Sequence, residues 1–315
     1  TDSIEAATDI GIRFHPSRGS MSIGESKGGL PPDVLTENES DILKDCERVI
    51  SQFHDDSPNA MIKIALAPCS PFSVSNDLMS QTAVLARENH LCMHTHLAEN
   101  SEDVKYSLEK FNMRPGEYAE SLGWLGNDVW HAHCVKLDSA EVKLFGKTNT
   151  GIAHCPSSNM RLASGIAPLL EMLENNVRVG LGVDGSSSND SGHMLNEARQ
   201  AMLLQRVTHS ASVIGARDVL RTATRGGAEV LRRENIGQIA PGFMADIAIY
   251  DMHSVDLAGT HTDPLAALVF CGPIKTTHTI INGNLVVKHG QLTTMDLKAL
   301  LQKHRKLSVD LVNSA

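Results

Sequence analysis

Leu91-Cys92-Met93-His94-Thr95-His96-Leu97-Ala98-Glu99 decides how this chain folds. Residues 91–96 form a short apolar run, and imidazoles gather at its C-terminal end. The pattern recurs: residues 129–134 close on His131-Ala132-His133, residues 151–154 close on His154, and residues 177–183 run into Asp184-Gly185. With 10–14 and 62–67 these are the predicted strands, each bounded by turn residues or by the start of an amphipathic segment. Helices are predicted over 39–53, 76–88, 101–111, 139–145, 166–174 and 194–208, with N-cap chemistry at Ser75 and Asp138 for two of them. Strand–helix alternation implies parallel strands joined by right-handed crossovers. Strands apolar on both faces belong to a sheet covered on both sides. The expected fold is α/β, either one large barrel or two domains; in a barrel, residues 1–235 would form it, with strand-end loops converging on one mouth.

The texture changes near Ile236. Residues 237–251 read as two short strands about the Pro241-Gly242 turn, and Gly283-Asn284 reads as a hairpin turn between 279–282 and 285–288. A polar, helical tail follows from Met295, so residues 236–315 are expected to form a small β appendage and tail. Composition narrows the function classes. The chain has 28 Lys and Arg against 37 Asp and Glu, a net charge of −9, and only 4% aromatic residues. With no basic block and few stacking surfaces, neither nucleic acid nor an anionic membrane is an expected partner. No apolar run approaches the ~18 residues of a membrane span. The six cysteines form no C-x-x-C pair, and several lie in apolar runs. With no secretory leader read at the start, a reducing cytoplasm is expected.

Imidazoles and a carboxylate at one mouth suit a Zn²⁺-like ion with an open coordination position. Taken singly, each residue has a plainer reading. His131 is expected to be a core histidine bonded to a backbone carbonyl, and His94, further from the strand tip than His96, a supporting residue. Asp184 alone reads as a turn residue and Glu99 alone as an N-cap partner of the next helix. Their recurrence at successive strand ends outweighs these readings. Glu99 lies where the chain turns beyond His96, and there it can take a proton from water and hand it to a leaving amine. A cytidine-deaminase site needs H-x-E and P-C-x-x-C, and Pro68-Cys69-Ser70-Pro71 lacks the second cysteine. Gly28-Gly29 and Gly226-Gly227 fit no phosphate-loop spacing. Residues 14–22 and 68–71 both follow strands and are read as loops at the mouth, although 14–22 reads almost equally well as a plain surface connection.

The ordered set His-Thr-His-Leu-Ala-Glu (94–99), Ala-His-Cys (132–134), His-Cys-Pro-Ser-Ser-Asn (154–159) and Gly-Val-Asp-Gly (182–185) resembles the nucleobase and triazine deaminase branch of the amidohydrolase superfamily. Ala-Thr-Arg-Gly-Gly-Ala (223–228) and Ile-Ala-Pro-Gly-Phe-Met-Ala-Asp-Ile (239–247) extend the resemblance over nearly the whole chain. Phe-His-Pro-Ser-Arg-Gly-Ser-Met-Ser (14–22) with Gly-Gly-Leu-Pro-Pro-Asp (28–33) is similar to 8-oxoguanine deaminases and to hydroxyatrazine ethylaminohydrolases. Pro68-Cys69-Ser70 departs from the Pro-Arg-Phe of guanine deaminases.

The resemblance implies a (β/α)₈ barrel with a β-sandwich built from both chain ends. It implies one divalent metal, zinc with iron as an alternative, held by His96 and Asp184 with His133 as a further candidate ligand. Glu99 would shuttle the proton, Asp184 would help deprotonate the water, and His133 would polarise the attacked group or stabilise the oxyanion. Candidate substrate contacts are Arg18, whose planar guanidinium suits paired hydrogen bonds to a ring carbonyl, and His15, Cys69, His154 and Asn159. The implied reaction is hydrolytic deamination of an oxidised purine, foremost 8-oxoguanine to urate and ammonia. An s-triazine amidohydrolase or a guanine- or cytosine-type deaminase is the alternative, and a homodimer is left open. The family's first strand ends in a further His-x-His, which does not precede His15 here. The chain therefore reads as lacking the first two of eight strands, and on its own it is expected to hold little metal, show little activity and aggregate. An inactive scaffold piece is the non-enzyme reading.

Overall fold

The computed structural model describes residues 1–29 and 31–314; Leu30, within the 28–33 motif, lies outside the described residues. Strands β1 (Ser17–Ser20), β2 (Ala65–Pro68), β3 (Cys92–Leu97), β4 (Val129–His133), β5 (Gly151–His154) and β6 (Arg178–Leu181) form one parallel sheet in chain order. Helix α1 (Asp2–Ile10) precedes them. The crossovers carry α2 (Glu39–Phe53), α3 (Asn76–Glu88), α4 (Ser101–Phe111), α5 (Pro115–Ser121), α6 (Ser139–Thr148), α7 (Pro156–Arg161) and α8 (Leu169–Glu174). Beyond β6 come α9 (Met194–Thr208), α10 (Ala216–Arg221) and α11 (Gly227–Val230), the last two joined by a π-helical turn over Thr222–Gly226. That turn presses on β6 so closely that a Cβ on Gly180 would stand 2.9 Å from Gly227 Cα.

The period-2 alternation of the strands divides the core. Leu66, Met93, Leu97, Val129, Ile152 and Val179 pack outward against the helices. Ala65, Cys92 and Trp130 pack together on the other face. Along β3 the same parity carries Cys92, His94 and His96, and His94 stacks on Trp130 with ring centroids 5.2 Å apart. Several helices begin where the sequence places them because the caps are made. Asn38, Ser75 and Asn100 each accept a backbone N–H of their helix, and Asp138 forms a capping box with Glu141.

Three expectations are corrected. Residues 10–14 are not a strand: α1 buries Ile4 and Ala7, ends at Gly11 with φ 80°, and leaves only a bridge between Phe14 and Ile62. Residues 237–251 supply one strand, β7 (Ile247–Ile249), rather than two. The hairpin between β8 (His278–Ile281) and β9 (Asn284–Lys288) turns one residue earlier than expected. Asn282 and Gly283, with φ 50° and 80°, adopt the paired left-handed conformation of a two-residue hairpin. With β10 (Gln291–Leu292) these strands form a four-stranded antiparallel sheet; α12 (Pro264–Phe270) lies between β7 and β8 in the chain, and the tail helix α13 (Leu297–Ser314) follows β10. All six cysteines are free. Among the described residues no helix is long and apolar enough to cross a membrane.

Two expected substrate contacts lie outside the cluster of strand-end His96, His133 and Asp184. Arg18 points outward from β1, donating to Asp45 Oδ2 of α2 at 2.6 Å and to Glu37 Oε2 at 2.8 Å. Strand parity is the reason, since Ser17 and Gly19 take the other face. His15 packs edge-on against Trp130 and lines a cavity of about 250 Å³ with Cys92, at the N-terminal end of the sheet and away from the strand tips. Arg18→Ala is expected to lower stability by about 1–2 kcal/mol, because two partly solvated carboxylates lose a charged donor, with metal binding unchanged; urea titration and metal analysis check it.

His15 is held neutral. Burial, aided by the nearby Arg233 and Lys63, lowers its pKa from 6.5 to about 3. The unfolded chain therefore takes up a proton that the folded one refuses. The stability this contributes is complete above pH 6.5 and falls as the pH drops towards 3, at up to ~1.4 kcal/mol per pH unit. His15→Phe is expected to flatten the acid limb by that slope between pH 6.5 and 5, read from urea midpoints.

Candidate active site

The site is built where β3, β4 and β6 stop. Residue types set the first step, because a histidine ring has two nitrogens and a bond to one fixes the role of the other. His96 Nδ1 donates to the carbonyl of Cys69 at 2.5 Å, and that carbonyl also accepts the His96 backbone N–H at 3.0 Å. His133 Nδ1 donates to Asn159 Oδ1 at 2.9 Å. Both rings thus leave Nε2 uncommitted by these bonds, and they stack with centroids 5.4 Å apart.

Backbone conformation sets the second step. His131 and His133 share strand parity, and His131 points into the helical layer, where its Nε2 donates to the Trp124 carbonyl. His133 escapes that direction because its φ is 67°, followed by Cys134 at 52°. Ala98 (φ 49°), directly after β3, and Asp184 (φ 62°), three residues beyond β6, likewise adopt the left-handed region. Such strain in residues other than glycine collects at functional sites. The result is a cluster in which one ligand atom each from His96, His133 and Asp184 lies within 4.8 Å of the others.

The remaining residues hold these three. Asp184 Oδ2 accepts hydrogen bonds from Ser158 Oγ at 2.5 Å and Ser188 Oγ at 3.0 Å. Burial alone would raise its pKa, but these donors, the Gly185 N–H and nearby His133 bring it below the usual carboxylate range. For His96 burial works against the charged form, yet the Cys69 contacts and the Asp184 carboxylate lift its pKa to about 9. Both shifts mark a place that favours positive charge. Glu99 stands over the cluster, with Oε2 3.8 Å from His133 Nε2 and Oε1 accepting from Ser164 Oγ at 3.1 Å. Two imidazole Nε2 atoms and an ionised carboxylate at this spacing suit a zinc-like ion with room for water, the cation taking the place of the proton that His96 otherwise keeps.

Of the residues expected at the mouth, His96, His133, Asp184, Glu99, Cys69 and Asn159 come together. Cys69 Sγ lies 4.0 Å from His96 Nδ1. Asn159 is buried and engages His133. His154 is buried at the end of β5 with both ring nitrogens unpartnered, and burial lowers its pKa to about 4. Arg18 and His15 do not join the cluster. Sequence reasoning missed Ser158, Ser164, Ser188 and Glu197. The buried Glu197 carboxylate accepts the Ser157 N–H at 3.1 Å and Asn189 Nδ2 at 2.8 Å, and so fixes the start of α7. The legible signal was position alone: Ser158 and Asn159 belong to the run that follows His154, whereas no spacing links Glu197 to it.

Comparison with known proteins bears on this geometry. Residues 2–286 match the amidohydrolase family. The chain is 42% identical over 304 residues to an 8-oxoguanine deaminase of Pseudomonas aeruginosa, covering 96% of this chain and 68% of that protein. It is 35% identical over 298 residues to a hydroxydechloroatrazine ethylaminohydrolase of Pseudomonas sp. strain ADP, covering 93% of this chain and 61% of that one. It superposes on an atrazine chlorohydrolase from Arthrobacter aurescens TC1, solved in complex with zinc, with a TM-score of 0.93 at 34% identity, over 97% of this chain and 68% of that one. The chain thus spans roughly two thirds of the length of these relatives. On its motifs, its parallel sheet and this match, the chain belongs to the amidohydrolase family.

Proposed function

We propose that this chain carries the catalytic face of a metal-dependent hydrolytic deaminase of an oxidised purine, with 8-oxoguanine converted by water to urate and ammonia. The observation that carries the reading is the donor set: two imidazoles with Nδ1 committed, one ionised carboxylate, and Glu99 beside them. A bound zinc ion supplies a Lewis acid and lowers the pKa of water towards neutrality. His96 Nε2, Asp184 and His133 Nε2 are the groups that would hold it. Glu99 accepts one proton of the attacking water and returns it to the amino group as the C–N bond breaks, while the water's other proton ends on the adjacent ring nitrogen, so that a ring N=C–NH₂ becomes HN–C=O and ammonia departs. The Asn159 bond bears on the two roles open to His133. Neutral His133 offers Nε2 as a lone pair, which suits a ligand; it donates to an oxyanion only when protonated.

A groove of about 350 Å³ beside His96, lined by Gly19, Met21, Leu35 and Cys69, has the size and mixed lining of a small-ligand site. We assign the planar base to it, with Cys69 at its inner wall. The similarity to a relative named as an 8-oxoguanine deaminase supports the purine over the triazine. In the purified protein, ammonia release from 8-oxoguanine is expected to exceed ethylamine release from a hydroxylated ethylamino-triazine at least tenfold in kcat/KM. The reverse order overturns the purine assignment and leaves the hydrolytic one standing.

Glu99→Gln keeps the shape of the side chain and removes its proton chemistry. Turnover is expected to fall at least ~100-fold, the low end of general acid–base contributions, with metal content unchanged. Normal turnover would remove Glu99 from the mechanism. Ser158→Ala strips a donor from Asp184 and is expected to weaken metal affinity by ~10–100-fold, as loss of a ligand's outer partner does. Competition with a chelator of known affinity measures it.

A further inference from the structure

Glu197 stands on α9, fully buried, and its two oxygens meet N–H groups from two different parts of the fold. Oε2 accepts the backbone N–H of Ser157, in the first turn of α7, at 3.1 Å. Oε1 accepts Asn189 Nδ2 at 2.8 Å, and that amide also donates to the carbonyl of Val183, next to Asp184, at 2.8 Å. One carboxylate thus bridges α7 and the loop that carries Asp184. Both arms end inside the chain's own interior, with Asn189 buried as well.

The first arm reaches His133. Asn159 Oδ1 accepts the His133 Nδ1–H at 2.9 Å, while Asn159 Nδ2 has no partner. No second side-chain bond fixes the amide, so its place comes from the backbone of α7, where the Asn159 N–H donates to the Cys155 carbonyl at 3.0 Å. A side-chain amide offers an acceptor and a donor on one plane. If the first turn of α7 loosens, Nδ2 can face the ring in place of Oδ1. The ring then carries its proton on Nε2, and the atom offered to an ion changes from a lone pair to a donor. We propose that Glu197 is a positioning residue for the metal-binding face. By pinning the first turn of α7 it keeps His133 in the Nδ1–H tautomer, and through Asn189 it holds the Asp184 loop to the same turn. The assignment rests on the reading of His133 and Asp184 as ligands.

The test reads the His133 tautomer in the metal-free chain, isotopically labelled at its histidine nitrogens, by imidazole nitrogen–proton correlation spectra at a pH above the ordinary imidazole range. The signal missing in His133→Asn identifies the ring. Glu197→Met keeps the length of the side chain and removes both acceptors. His133 is expected to lose at least ~tenfold of its preference for the Nδ1–H form, the worth of about one hydrogen bond. His131, on the same strand and bonded to the Trp124 carbonyl, is expected to keep its signal. Glu197→Gln, with one acceptor left, is expected to show a smaller change in the same direction, and it stands in if the methionine variant does not fold. Asn189→Ala opens only the arm to the Asp184 loop and is expected to leave His133 as in the parent. In an Asn159→Ala background Glu197→Met is expected to add nothing, because the amide it acts through is gone. A parent His133 in the Nε2–H form, a His133 unchanged in both Glu197 variants, a His131 signal lost along with it, or a full further change without Asn159 overturns the proposal. Turnover enters none of these readings, so a chain inactive on 8-oxoguanine counts against the purine assignment alone.

Discussion

One carbonyl governs the site. The oxygen of Cys69, at the end of β2, accepts both the backbone N–H and the ring Nδ1–H of His96 at the end of β3. Two donors from one residue on one acceptor lock the ring's rotation and its tautomer together. The lock exists only while β2 and β3 hold their register, in which Ala65 stands opposite Cys92 and Leu66 opposite Met93. The direction of the metal-facing nitrogen is thus inherited from sheet pairing, and sheet pairing from the apolar alternation that fills the layer beneath the helices. His133 is held by a different device, a side-chain amide, so the two imidazoles answer to separate parts of the fold.

Much of this was legible in the sequence, and the reason is periodicity. Residues 91–96, 129–134 and 151–154 announce strands by apolar content, and histidines at their ends can be counted without coordinates. Helices 39–53, 76–88, 101–111 and 194–208 agree with the observed bounds because apolar spacing marks them, and side-chain caps add to it at three of them. Periodicity fails where the chain leaves it. Parity alone sends His133 to the helical side, and only its left-handed φ brings it to the mouth. Parity also turns Arg18 away from the His96–His133–Asp184 cluster and onto Asp45 and Glu37, a point the loop reading of 14–22 overlooked because it carried no strand there. α1 went unseen since Ile10, Ile12 and Phe14 alternate like a strand while Ile4 and Ala7 keep a helical step.

The supporting partners were the least legible. Ser158, Ser164, Ser188 and Glu197 are common residue types in no special spacing, and their importance rests on where other elements deliver them. Glu197 lies 40 residues beyond Ser157 yet fixes the first turn of α7. A buried carboxylate without a nearby cation is costly unless its oxygens are occupied, and here two N–H groups occupy them. Pro156 at the first helical position and the Ser157 N–H bond to Glu197 together mark where α7 begins.

Helix α7 has a consequence for how such a site can change over generations. Its six residues carry both Ser158, bound to Asp184, and Asn159, bound to His133. The two supports are neighbours on one rigid piece and cannot drift independently; a shift of α7 moves both or neither. The groove assigned to the substrate is instead walled by β1 and the residues after it, Met21 and Leu35 among them, which touch neither support. Heritable variation can therefore accumulate on the β1 side and alter what is bound while the α7 side stays fixed. The supports of the ligand cluster and the walls of the groove thus belong to separate pieces of the fold, and the two meet beside His96.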